Sequence, residues 1–129
     1  GIGAPYNLAL EEKGQILVAL ERKVPLLYTV LDGKDVGKIQ LRGLARCLSR
    51  KGVEIELKEP LKLLTNIKMN LGDVPEELAC KDFYGKVIES TSKDHCRYFV
   101  RFTSASSEVA AYFQALRQYA AKEMSTEKV

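Results

Sequence analysis

Leu44 to Leu57, LARCLSRKGVEIEL, is the stretch on which the fold turns. Its second half, Val53-Glu54-Ile55-Glu56-Leu57, alternates apolar and charged residues with period two, putting Val53, Ile55 and Leu57 on one face and Glu54 and Glu56 on the other. That is the pattern of a half-buried β-strand. Its first half is an apolar and basic run that reads as a second strand entering the same corner. The corner, Ser49-Arg50-Lys51-Gly52, offers a hydroxyl, two cations and a glycine that can take positive φ or let a ligand approach the backbone. Such a corner is suited to receive an anion.

Working outward, Val24 to Leu31 is rich in β-branched and aromatic residues, admits Pro25 near its start, and ends at the turn pair Asp32-Gly33. An extended pattern resumes from Lys38 to Leu48, with Arg42, Arg46 and Arg50 recurring every four residues on one face. After Glu59-Pro60, the alternation of Ile67 to Leu71 predicts a strand that stops at Gly72-Asp73. Phe83 to Glu89 and Cys96 to Phe102 then predict a hairpin closed by Ser90 to Asp94, with Cys96, Tyr98, Val100 and Phe102 on one face. Past Phe102 the period becomes helical. Ser106 or Ser107 caps a helix whose Val109, Tyr112, Phe113, Leu116 and Ala120 form an apolar stripe that must cover the strands. Upstream, Asn7 caps an expected N-terminal helix from Leu8 to Arg22, with Leu10, Ile16, Leu17 and Leu20 as its stripe, although Ile16-Leu17-Val18 fits a strand equally. The whole predicts a mainly β domain, a small antiparallel barrel or sandwich with a C-terminal helix.

Composition narrows the function classes. A chain of 129 residues holds one domain with its own core, and 46% hydrophobic with 29% charged residues excludes a disordered segment as its main content. The longest apolar run, Ile16 to Leu20, is too short to span a bilayer, and no signal peptide is visible. The opening Gly1-Ile2-Gly3 is expected of a fragment of a longer protein or of a cloning remnant. Cys47, Cys80 and Cys96 are an odd number without a CxxC pair, so free thiols in a reducing cytoplasm are expected. His95 is the only histidine, and its pairing with Cys96 lacks metal-ligand spacing, so no metal site is assigned. No glycine-rich phosphate loop, HExxH or Ser/His/Asp arrangement is present, and no catalytic residue is assigned. The net charge of +3 is unevenly spread: Leu20 to Gly52 holds eight cations and three anions, which favours an anionic partner.

The order strand, Ser-Arg-Lys-Gly turn, strand, proline-led strand, hairpin with Tyr84-Gly85-Lys86-Val87-Ile88, strand ending Val100-Arg101-Phe102, and terminal helix resembles the PilZ domain, the bacterial cyclic di-GMP receptor module. The resemblance covers Lys23 to Tyr119. It implies a six-stranded barrel over 23–121, a leading helical or linker segment over 1–22 and a flexible tail over 122–129. The family's Asp/Asn-x-Ser-x-x-Gly signature falls on Cys47, Ser49 and Gly52, matching at two of three positions. Its paired arginines, four residues apart, fall on Ala19 and Lys23, or on Val18 and Arg22 if the register slips by one. The candidate ligand residues implied are therefore Arg22, Lys23, Cys47, Ser49, Arg50 and Gly52.

These departures have a physical cost. Lys23 keeps a charge but not the planar fork that arginine offers phosphate and guanine, and a thiol at Cys47 is a weak hydrogen-bonding group. Losing bidentate contacts weakens binding on the order of a hundredfold. The resemblance thus implies a non-enzymatic regulatory domain, with no cofactor, that either takes cyclic di-GMP weakly or has lost it and acts as a protein-interaction or dimerisation module on an attached or associated partner. A second class is a small basic barrel for RNA or single-stranded DNA, with Tyr28 as a stacking platform beside the cationic stretch. Against it, Phe83, Tyr84, Tyr98, Phe99, Phe102, Tyr112 and Phe113 read as core.

Overall fold

The computed structural model describes residues 17–32, 35–36 and 39–127. Strand β1 spans Val18–Asp32, the short β2 Asp35–Val36, β3 Leu41–Leu48, β4 Gly52–Leu57 and β5 Asn66–Leu71. A single turn of helix, α1, Glu76–Ala79, leads to β6, Phe83–Ser90, then β7, Cys96–Ser104, and the long helix α2, Ser107–Glu127. All six strands expected from alternation are present. Leu31 pairs with Val36 and Asp32 with Asp35, while Gly33 of the expected turn pair lies outside the described residues.

The sheet runs β2-β1-β3-β4-β7-β6-β5, and an added pairing of β1 with β5 closes it. Every pairing is antiparallel, so the six long strands make a barrel without a free sheet to stack on another, and the sandwich alternative falls away. Closure explains the alternation: Val53, Ile55 and Leu57 point inward and meet Leu26, Met69, Val87, Tyr98 and Val100 in one buried cluster. Removing such side chains from water is the main favourable term in folding.

Helix α2 covers one end of the barrel. The Ser106 hydroxyl accepts from the Val109 amide at 3.2 Å, an N-cap that meets one of the helix's orphan donors. Phe113 lies edge-on to Phe83 at 5.3 Å and stacks with Phe102 at 5.2 Å, tying the helix to β6 and β7. The helix continues to Glu127, so residues 122–127 of the expected tail are helical.

The expected N-terminal helix needs correction. Its first part, 8–16, lies outside the described residues, but 18–22 is strand and belongs to the barrel rather than to a leading segment. Val18 and Ala19 pair with Leu48 and Cys47 of β3, and this neighbouring edge overrides the weak helical stripe. Between Ala19 and Val24 the register shifts: four residues of β1, Leu20 to Lys23, stand opposite Arg46 alone. Among the described residues no helix is long and apolar enough to cross a membrane.

Candidate functional site

The β3–β4 corner is closed on itself. Ser49 is completely buried, and its hydroxyl accepts from the amides of Gly52 at 3.1 Å and Lys51 at 3.3 Å. Its own amide donates to the Gly52 carbonyl at 2.9 Å. This is a serine turn, in which the side chain replaces a backbone partner. Gly52 begins β4, and its lack of a side chain serves the barrel wall: a Cβ there would lie 2.2 Å from the Val100 carbonyl oxygen and 2.6 Å from Phe99 Cζ. Arg50 and Lys51 are exposed at the corner. Burial, and then the charge of Arg50, lower the pKa of Arg117 on α2.

The β1–β3 register makes Ala19 and Cys47 direct partners, so the positions that carry the two family signatures do adjoin. Their chemistry is altered. Cys47 clusters with Leu17, Phe99 and Ile88, and its thiol donates to Glu54 Oε1 at 3.4 Å. Burial, followed by the Glu54 carboxylate, pushes the thiol pKa up to about 12, so it stays protonated at neutral pH. Glu54 is 3% exposed and is held by Arg46 Nη1. A charged carboxylate is thus locked beside Cys47.

Glu56, two residues along the same face, shares Arg46 with Glu54 and gathers two more cations. Lys23 Nζ donates to Glu56 Oε1 at 3.2 Å, with Arg46 Nε at 3.3 Å and Arg97 Nε at 3.8 Å from the same oxygen. The Lys23 hydrogen bond, and the Lys23, Arg97 and Arg46 charges acting against burial, hold the Glu56 carboxyl below its ordinary value of 4.5. A carboxyl with a depressed folded pKa binds fewer protons when folded, so its contribution is fully present above about pH 4.5 and is lost as pH falls through the folded value. Glu56→Gln is therefore expected to flatten the acid limb of stability below that pH and leave its shape unchanged above it, as read by urea unfolding across a pH series.

Of the candidate ligand residues, Ser49, Gly52, Cys47 and Lys23 fall on or beside this one face. Arg22 and Lys23 both line a cleft of about 690 Å³ between the β1 bulge and Tyr112 and Leu116 of α2, and of the two it is Lys23 that pairs with Glu56. Glu54, Glu56 and Arg97 were not singled out in the sequence. Alternation did show that the two glutamates share the outward face of β4, but Arg97 reaches them only because β4 pairs with β7, Glu56 opposite Arg97. Tyr28 is 2% exposed inside the barrel, which removes the stacking platform required by the nucleic-acid alternative. The cysteines are free thiols, with Cys47 buried and Cys80 exposed.

A closed six-stranded antiparallel barrel covered by a C-terminal helix, with a Ser-x-x-Gly corner between its β3 and β4 strands, is a PilZ-like fold. Among solved structures the chain is similar to the PilZ domain, with c-di-GMP, of YcgR from Escherichia coli: TM-score 0.60 and 14% identity, over 90% of this chain and 98% of that one. It is also similar to the Bacillus subtilis inhibitor of motility MotI/DgrA, with TM-score 0.56 and 13% identity over 85% of this chain, spanning 50% of that protein. No protein-family sequence profile matches the chain, and no curated protein sequence matches it significantly.

Proposed function

We propose that the chain is a non-enzymatic regulatory domain of PilZ-like fold that has given up cyclic di-GMP and acts through contacts with an attached or associated protein. The observation that carries this reading is Glu54, a buried carboxylate within 3.4 Å of the Cys47 thiol. Cyclic di-GMP brings two phosphodiester charges. A fixed carboxylate repels them in surroundings where charge is poorly screened. The nearby cations are already engaged, Arg46 by Glu54 and Glu56, and Lys23 by Glu56. Ser49 has its hydroxyl committed to the turn, and the guanidinium fork expected near residue 19 is replaced by a methyl group. The three free thiols fit a cytoplasmic setting, where they remain reduced.

Isothermal titration with cyclic di-GMP at low salt tests the reading, with the YcgR PilZ domain as positive control. No heat is expected at several hundred micromolar nucleotide, a concentration that detects affinities down to the millimolar range. Saturable heat that disappears in Lys23→Ala would instead establish a receptor and overturn the proposal.

A further inference from the structure

Between β4 and β5, which are not neighbours in the sheet, the chain crosses a barrel end as Lys58-Glu59-Pro60-Leu61-Lys62-Leu63-Leu64-Thr65. Leu61 turns inward: it packs against the core, and its amide donates to the Tyr98 hydroxyl at 2.9 Å. Leu63 and Leu64 do not follow it, and are 54% and 65% exposed. They are held there by a tied loop, since the Leu64 amide donates to the Val87 carbonyl at 2.6 Å and the Val87 amide to the Thr65 carbonyl at 2.9 Å. Leu64 also has a φ of 70°, a left-handed conformation that a bulky side chain adopts only at a cost. Glycine or asparagine would serve that backbone without strain, so folding gives no reason for a leucine.

The wall beside this loop carries charge that the fold does not use. Asn66, which begins β5, pairs with Lys86, and Lys86 pairs with Arg101. Buried Gly85, Val87 and Val100 alternate with them, so Lys86 and Arg101 share the outer wall. Two like charges directly opposite each other destabilise a sheet unless something anionic lies over them. Among the described residues no carboxylate forms an ion pair with Lys62, Lys86 or Arg101. The acids Asp82 and Glu89 stand beside Asn70 and Phe99 instead, and Glu59, the one acid of the loop, follows Lys58.

We infer that this end of the barrel docks on an anionic phospholipid surface, with Leu63 and Leu64 entering the headgroup–acyl boundary and Lys62, Lys86 and Arg101 facing the phosphates. The layering fits. Leu64 precedes the Asn66–Lys86–Arg101 row by two residues, roughly 7 Å of extended chain, which matches the depth to which interfacial apolar side chains sink below the headgroups. A nucleic acid would engage the cations but leave both leucines in water, and an acidic protein segment would have to bring a cavity for them. A fluid bilayer supplies both layers without a preformed pocket. The inference is independent of the protein-contact reading, since it uses none of Lys23, Cys47, Glu54 and Glu56, and its failure leaves that reading untouched.

Co-sedimentation of the full chain with mixed phosphatidylcholine–phosphatidylglycerol vesicles tests it. Binding that falls with added salt is expected, with little to pure phosphatidylcholine. Leu64→Asn is expected to weaken it about tenfold and Lys86→Glu at least as much. Unfolding does not account for either loss. Asparagine relieves the left-handed strain, and a glutamate opposite Arg101 turns repulsion into attraction, so both variants are expected to unfold at a urea concentration no lower than the parent chain. Arg101→Lys, which keeps the charge, is expected to bind within about twofold of the parent. Failure to bind the mixed vesicles, equal binding to pure phosphatidylcholine, or binding indifferent to Leu64→Asn or to Lys86→Glu would overturn the inference. Ready displacement from the vesicles by a single-stranded oligonucleotide or by polyglutamate would overturn it too, since the wall would then be a general polyanion contact.

Discussion

Gly52→Ala is expected to destabilise the domain by about 3 kcal/mol, the upper end of what overpacking a well-filled site costs. The new methyl would sit 2.2 Å from the Val100 carbonyl oxygen, and that oxygen belongs to the β7 backbone, which cannot swing aside as a side chain can. Phe99 Cζ blocks the second direction at 2.6 Å. Relief requires β4 and β7 to separate where they pair Gly52 with Arg101, which opens the barrel wall next to the buried Ser49. Urea unfolding measures the effect, with Gly72→Ala as comparison. A Cβ at Gly72 meets nothing nearer than Pro25 at 3.5 Å, so its effect is expected to stay within about 0.5 kcal/mol. Similar midpoints for the two variants would show that the glycine at the corner is not held there by packing.

Cys47→Asp, which restores the acidic residue of the PilZ-type signature, is expected to cost about 3 kcal/mol at neutral pH, because it adds a second charge to a buried one. The thiol it replaces is 9% exposed and donates to Glu54 Oε1 at 3.4 Å. An ionised carboxylate cannot donate, and it would repel Glu54, leaving Arg46 to serve both. Most of the loss should return in the double variant Cys47→Asp/Glu54→Gln, where the amide can donate to the new carboxylate. Urea unfolding at neutral pH distinguishes the outcomes. If Cys47→Asp alone is neutral, Glu54 is no obstacle to a signature carboxylate, and the ligand-free proposal loses its main support.

The strands were legible because their signal is local. Val53, Ile55 and Leu57 alternate with Glu54 and Glu56, and each such run needs only a covered face to become a barrel wall. The terminal helix was legible for the same reason, since its stripe and Ser106 cap lie within one segment. Val18 to Arg22 is strand rather than the expected end of a helix because the choice, open in the sequence at Ile16-Leu17-Val18, falls to the β3 edge many residues away. Ser49 was read as a ligand hydroxyl because its residue type suits an anion as well as a turn. Only the position of the Gly52 and Lys51 amides shows that the turn has it.

The candidate face shows the division most clearly. Periodicity and turn residues determined six strands, one covering helix and an outward position for Glu54 and Glu56, because those properties depend on neighbours two to four residues apart. Which charges meet depended on the closed barrel. Lys23, Arg46, Glu54, Glu56 and Arg97 come from four strands and are brought together by the β1 bulge and by the β3–β4 and β4–β7 registers. A shift of one residue in any of these pairings would turn a side chain to the opposite face, so the ion pairs of this face are a property of register.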